Sequence, residues 1–284
     1  MEITDWCIRI LGADTLEEKL LCPEILTDDI IHPELLWKTP SRPPGMEFKR
    51  HSRKERLPSF QEHGNVDKRA ACLHRFAGHE LLAVEIMAYA LLAFPNAPKH
   101  FRRGVANTLK EEQGHVKLYI KRLEELGVRF GDMPLYKHFW SHTPFLTSPL
   151  KYISVMSLTF EMANLDFAPL YKESFLKHGD TLSALLMNQI LEDEINHVSF
   201  GMHWLKKFTP SLESTWESWR SNTPEKLPIH RAKGLIVFEE NRRKANIPED
   251  WILEIKKSTP RSGEASPRLK IYGLPEKGAP SQDD

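Results

Sequence analysis

Two eight-residue stretches of the chain carry the same set of chemically active side chains. Leu109-Lys110-Glu111-Glu112-Gln113-Gly114-His115-Val116 returns as Leu191-Glu192-Asp193-Glu194-Ile195-Asn196-His197-Val198, 82 positions downstream. Each reads Leu, any residue, acid, Glu, two residues, His, Val. On an α-helix, residues three apart share a side, so Glu112 with His115, and Glu194 with His197, can reach one point. One Glu-x-x-His occurs by chance in many chains, but two copies with matching flanks form a pattern. Carboxylate bundles that hold two metal ions place this motif on two helices and a single Glu on each of the other two.

Candidates for the single Glu residues precede each motif. Glu80 and Glu85 stand upstream of the first, and Glu161 and Asp166 upstream of the second. The spacing of acid followed by acid five residues later repeats with an offset of 81, so the chain reads as a helix pair used twice. Level decides between the acids. Glu80 lies 14 residues before Phe94 and Glu112 14 residues after Pro98. At about 1.5 Å per residue both sit about 21 Å from the connecting loop. Glu85 is displaced by about 7 Å. Glu80 and, by the repeat, Glu161 are therefore the expected metal-facing acids. Glu85 and Asp166 are assigned to the surrounding shell or to helix contacts. Glu111 and Asp193 are expected to take the outer N–H of the imidazoles crosswise, Asp193 from His115 and Glu111 from His197, which fixes the ring tautomers.

Four carboxylates and two imidazoles form an oxygen-rich donor set that suits iron or manganese better than copper or zinc. Four carboxylates also neutralise two divalent cations. Two iron ions, with Fe/Mn or Mn as variants, are the expected cofactors. For His74, His79 and His203 the alternative role is to line an entrance, and for Tyr89, Tyr119 and Tyr171 it is redox chemistry. The preferred reading is a satisfied core or surface imidazole for the three histidines and core packing for the three tyrosines.

The elements that must position these residues follow from periodicity and breakers. Four helices are expected, at about 67–94, 98–126, 150–177 and 181–208, with Gly127 closing the second and Asp180 capping the fourth. A Pro- and aromatic-rich crossover, about 128–149, separates the two hairpins. Residues 1–62 read as an N-terminal extension with a helix near 15–21 capped by Asp14 and an extended strap at 40–45. The segment 63–210 is the bundle. Residues 211–258 form a C-terminal helical extension with helices near 224–245 and 249–257, and 259–284 read as a disordered tail. The class is all-α.

Composition narrows the function. Of 284 residues, 39 are Lys or Arg and 39 Asp or Glu, so no global field favours nucleic acid. The one strongly basic run, 49–56, is read as solvated surface, with phosphate contact as the sharper alternative. Three cysteines suggest no disulfide framework, which fits a reducing cytoplasm. The longest apolar run, 81–94, has 14 residues and includes Glu85, which is short for a bilayer. No glycine-rich phosphate loop or nucleophile motif is present.

The doubled acid-Glu-x-x-His motif, with Glu80 and Glu161 about 32 residues upstream, resembles the ferritin-like di-iron carboxylate superfamily. It is closer to the oxygenase and rubrerythrin branches than to classical ferritin. The stretch His79-Glu80-Leu81-Leu82-Ala83-Val84-Glu85 with Phe94-Pro95-Asn96-Ala97-Pro98 is similar to an uncharacterised bacterial ferritin-like family, compared with tRNA-modifying di-iron hydroxylases. Residues Gln113-Gly114 and Ile195-Asn196 depart from the Arg that precedes the His in several oxygenases. The resemblance implies a ferritin-like four-helix bundle with a six-ligand site at Glu80, Glu112, His115, Glu161, Glu194 and His197. Three function classes stay open: a hydroxylase or oxidase that activates O2 or peroxide, an iron-handling or peroxide-detoxifying protein, and a non-catalytic interaction bundle stabilised by metal. The first implies a small-molecule or RNA substrate and an external electron donor. A homodimer is compatible with all three.

Overall fold

The protein is all-helical in a computed structural model that describes residues 1–49 and 57–259. The basic run beyond residue 49 and the tail beyond residue 259 lie outside the described residues. Among the described residues there are no strands, only isolated bridges between Glu2 and Thr27 and between Phe48 and Leu135.

Two long hairpins form a helical bundle. The first pairs α3 (Val66–Ala93) with α4 (Lys99–Glu125). The second pairs a helical run from Pro149 to Lys177 with α7 (Thr181–Phe208). That run comprises α5 (Pro149–Val155), one π-helical stretch (Met156–Glu161) and α6 (Met162–Lys177). All four expected spans agree with these to within two residues.

Sequence chemistry explains the ends. The Asn65 side chain accepts from the backbone N–H groups of Asp67 and Lys68 and starts α3. Gly127, at φ 76°, closes α4 in the left-handed conformation, while Val128 N–H reaches back to the Leu123 carbonyl at 3.0 Å. Asp180 caps α7 by accepting from Ser183 N–H at 3.0 Å. It also anchors the bundle end through Arg69 at 2.9 Å and Arg122 at 2.8 Å.

From Glu80 to Ala93, helix α3 is apolar but for Glu80 and Glu85 and is buried all round, as such a stretch must be. Long enough to cross a bilayer, it has 89% of its most apolar 18-residue window buried inside the protein. Part of the cover is α1 (Ile3–Gly12), a helix the sequence reading passed over. Its Trp6, Ile10 and Leu11 are fully buried, each contributing about 1.5–3 kcal/mol. The next helix, α2, is shorter than expected (Leu16–Lys19). Its cap is Thr15, which accepts from Glu18 N–H, rather than Asp14.

The C-terminal extension also departs from expectation. The single helix placed near 224–245 is instead a 3-10 turn (Ile229–Ala232), an extended piece, and α9 (Glu239–Lys244). Pro228 and Gly234 interrupt it, and the N–H groups of Gly234 and Phe238 donate to Asp166 rather than within a helix. Helices α8 (Thr215–Ser221) and α10 (Glu249–Lys257) complete the extension around stacked Trp219 and Trp251.

Candidate functional site

Four buried carboxyl groups and two buried imidazoles meet in the middle of the bundle, each from a different turn of the two hairpins. Glu80 comes from α3, Glu112 and His115 from α4, Glu161 from the π-helical stretch, and Glu194 and His197 from α7. All six are at most 6% exposed. Donor atoms of Glu80, Glu112 and His115 lie within 4.8 Å of one another, as do those of Glu112, Glu194 and His197. Glu112 belongs to both groups. Its Oε2 is 3.1 Å from His115 Nδ1 and its Oε1 3.2 Å from His197 Nδ1. Glu161 stands outside both triads but shares with Glu80, Glu112 and Glu194 the wall of one cavity of about 60 Å³.

The outer ring nitrogens have the partners the motif suggests. His115 Nε2 is 3.0 Å from Asp193, and His197 Nε2 is 2.8 Å from Glu111. These two acids are partly exposed and lie on the opposite hairpin from the histidine each one holds. A ring that donates from Nε2 presents Nδ1 to the carboxylates.

The two other acids of the repeat do not join the shell around this cluster. Glu85 faces Lys19 Nζ at 3.0 Å and Arg42 at a shorter distance. Asp166 binds Arg242 at 2.6 Å and the N–H groups of Gly234 and Phe238. The shell role is thus corrected in favour of helix contacts. The reason is angular: five residues on a regular helix turn the side chain by roughly 140°, so an acid five after an inward one looks out at whatever covers the bundle. Asn164, three residues after Glu161, was missed and does belong. Its Nδ2 donates to Glu194 Oε1 at 2.7 Å. The rule that pairs Glu with His, applied from Glu161, would have found it.

The π-helical stretch has a local cause. The Ser154 carbonyl accepts from the Thr159 hydroxyl at 2.7 Å and from the Trp219 indole at 3.1 Å, so side chains occupy it where the helix widens. On the facing helix Gly201 lies so close to Ser157 that a β-carbon there would collide with it. Such single π turns sit often at functional sites, and this one ends on Glu161.

Electrostatics follow from burial without enough cations. Burial, then repulsion from Glu112, raises the Glu80 carboxyl well above its usual range. Burial and Glu194 push Glu161 up to about 8. Burial would also raise Glu112, but the two imidazoles outweigh it and hold that carboxyl low. The imidazoles are disfavoured as cations by burial, yet the surrounding carboxylates raise both. Even so, five polar atoms of the cluster lack a well-aligned hydrogen bond: both oxygens of Glu161, Oε2 of Glu194, and Oε1 of Glu112 and Nδ1 of His197, which face each other at 3.2 Å. Such orphans are rare, and each costs about 1–3 kcal/mol. The donor set and the orphaned atoms together fit a pair of divalent cations.

The cavity beside the cluster is lined by Phe76, Phe139, Phe160, Phe167 and Tyr171 and by Met156 and Met187. His79 and Asn164 are its polar edges, and no Lys or Arg lines it. Phe139 comes from the crossover and packs on Phe160 at 4.6 Å between centroids. Tyr119 also lines it, with its hydroxyl 3.6 Å from Met187 Sδ. His74 lies elsewhere, accepting from the N–H groups of Gly131 and Met133.

Searches of the curated proteins and of the solved structures found no match. A family described as proteins of unknown function, DUF455, matches residues 13–253, which takes in the N-terminal strap, the bundle, the six-residue cluster and most of the C-terminal extension. With that coverage, the chain belongs to the DUF455 family.

Proposed function

We propose that the protein is a ferritin-like di-metal carboxylate oxidoreductase, acting on a small neutral molecule with the help of dioxygen or peroxide. The observation that carries this is Glu112, whose two carboxylate oxygens face two different imidazoles, inside a group of four buried carboxyls with five orphaned atoms. One carboxylate common to two triads would suit two adjacent cations. Glu80, Glu112 and His115 would hold one, and Glu112, Glu194 and His197 the other, with Glu161 completing the set. Iron or manganese bound there would supply the redox chemistry that reduces dioxygen or peroxide.

The rest is done by the chain. Asp193 and Glu111 hold the Nε2 protons and so keep Nδ1 directed inward. Apolar helix faces exclude water, which strengthens every charge interaction at the cluster. The aromatic cavity supports an enzyme over a storage protein. It reaches the carboxyls, and its lining of Phe and Met side chains suits an apolar group. At about 60 Å³ it has room for a few heavy atoms, not for a nucleotide. An external donor would supply electrons.

The test is anaerobic loading with Fe(II), then oxygen. The expected outcome is two ions per chain and oxygen uptake faster than that of free Fe(II), with a transient optical band. Fewer than one ion per chain would overturn the reading.

A further inference from the structure

The repeat that builds the cluster is imperfect at one position. Three residues after Glu161 stands Asn164; three residues after Glu80 stands Ala83. Asn164 donates to Glu194 Oε1 at 2.7 Å, which fixes one oxygen of that carboxylate. Ala83 offers Glu112 nothing equivalent, and both Glu112 oxygens stay turned to the imidazoles, at 3.1 and 3.2 Å. A second, independent asymmetry points the same way. All five orphaned atoms lie on the Glu112–Glu194–His197 side or on Glu161 beside it, and none on Glu80 or His115.

From these two observations we infer that the two cation positions are unequal and fill in order. The Glu112–Glu194–His197 position, completed by Glu161 and braced by Asn164, takes the first ion, and the Glu80–Glu112–His115 position takes the second. This rests on the di-metal reading above. Asn164 is a positioning residue here: it holds Glu194 as a ligand of one ion only and leaves Glu112 as the shared carboxylate. Preorganisation of this kind is worth about 10- to 100-fold in metal affinity, so the first position should bind tighter by about that factor. The orphaned atoms add to the same preference, because an ion there would give the Glu161 oxygens and Glu194 Oε2 a partner and replace the poorly aligned 3.2 Å contact of Glu112 Oε1 with His197 Nδ1.

The experiment is a titration of the metal-free full-length chain with Mn(II), followed by electron paramagnetic resonance and calorimetry. The first equivalent should give the six-line signal of an isolated Mn(II), and the second should replace it with the broadened signal of a coupled pair. The Glu80→Ala variant should keep the tight step and lose the weak one. Asn164→Ala should still bind two ions, but its first step should weaken by about 10-fold or more, drawing the two steps together. Asn164→Gln provides a donor of the same kind at a different reach and should restore part of the separation, which a purely structural defect would not allow.

Two ions taken up in one indistinguishable step would overturn the inference and leave the di-metal reading intact. So would loss of the tight step in Glu80→Ala, or an unchanged first step in Asn164→Ala. No uptake of Mn(II) or Fe(II) at all would overturn both.

Discussion

The bundle contains two kinds of buried acid, and the chain treats them in opposite ways. Glu85 and Asp166 point outward from their helices and are matched by cations the protein itself supplies. Lys19 and Arg42 come from the N-terminal extension, and Arg242 from the C-terminal one. Glu80 and Glu161 occupy the equivalent places five residues earlier and point inward, with no ion pair to a Lys or Arg among the described residues. Their carboxyls are pushed up by burial and by the neighbouring carboxylates, Glu112 first at Glu80 and Glu194 first at Glu161. A buried carboxylate must be matched or protonated. The outward pair is matched from within and locks the extensions onto the bundle. On the function proposed above, the inward group is left for a cation from outside. The difference separates what the fold needs from what the function needs, although both acids occur in the same repeated motif.

The largest effects should come from breaking the outward pairs. Glu85→Ala strands Lys19 and Arg42, both nearly or fully buried, and Asp166→Ala strands Arg242 together with two backbone N–H groups. Removing one partner of a buried pair costs roughly 3–5 kcal/mol. Urea titration should show losses of that size, while the surviving folded protein keeps its metal count. A loss of metal without a loss of stability would place Glu85 or Asp166 in the cluster after all.

Changing an inward acid should do the reverse. Glu161→Gln removes a carboxyl whose charge the folded state resists, so the metal-free variant should gain roughly 1–3 kcal/mol at pH 8. It should bind metal more weakly. If its metal-free stability drops instead, Glu161 already has a partner.

The pH trend of the metal-free protein sharpens the same contrast. Glu80, Glu161, His115 and His197 all hold protons more tightly folded than unfolded. Stability from such groups is present at low pH and is lost as pH rises from the unfolded value of about 4.5 for the carboxyls, through about 8 for Glu161, and on through the raised imidazoles. Glu112 and Asp193 are held low and lose their contribution only in acid. The melting temperature without metal should therefore fall from pH 5 to 8. With metal the stabilisation should grow over that range, because protons compete with the ions. Parallel curves would contradict this.

A smaller signal comes from the protons themselves. Metal uptake near pH 7 should release protons from Glu80, Glu161 and the two imidazoles into weakly buffered solution, read with an indicator dye. Uptake without release would mean these groups were already ionised.

The inward set could be read from the sequence because helical spacing and a doubled motif fix it locally: Glu112 and His115 need no knowledge of the rest of the chain. The crosswise pairs of His115 with Asp193 and His197 with Glu111 followed from the same spacing. The outward partners could not be read this way. Nothing in Lys19, Arg42 or Arg242 marks it as the mate of an acid 43 to 76 residues away. Helix α1 was passed over because ten residues with little start signal look like an irregular terminus until they have α3 to cover. The break in 224–245 was hidden because its cause, Asp166 taking the Gly234 and Phe238 N–H groups, lies in another helix. The π-helical stretch has no local signature, since Trp219 helps to hold it.

The most direct test of the central claim is an anomalous difference map from crystals loaded anaerobically with Mn(II) or Fe(II). Two peaks are expected, one next to each oxygen of Glu112, with Nδ1 of His115 at one and Nδ1 of His197 at the other. A single peak away from Glu112, or no peak with the six side chains in their present places, would contradict it.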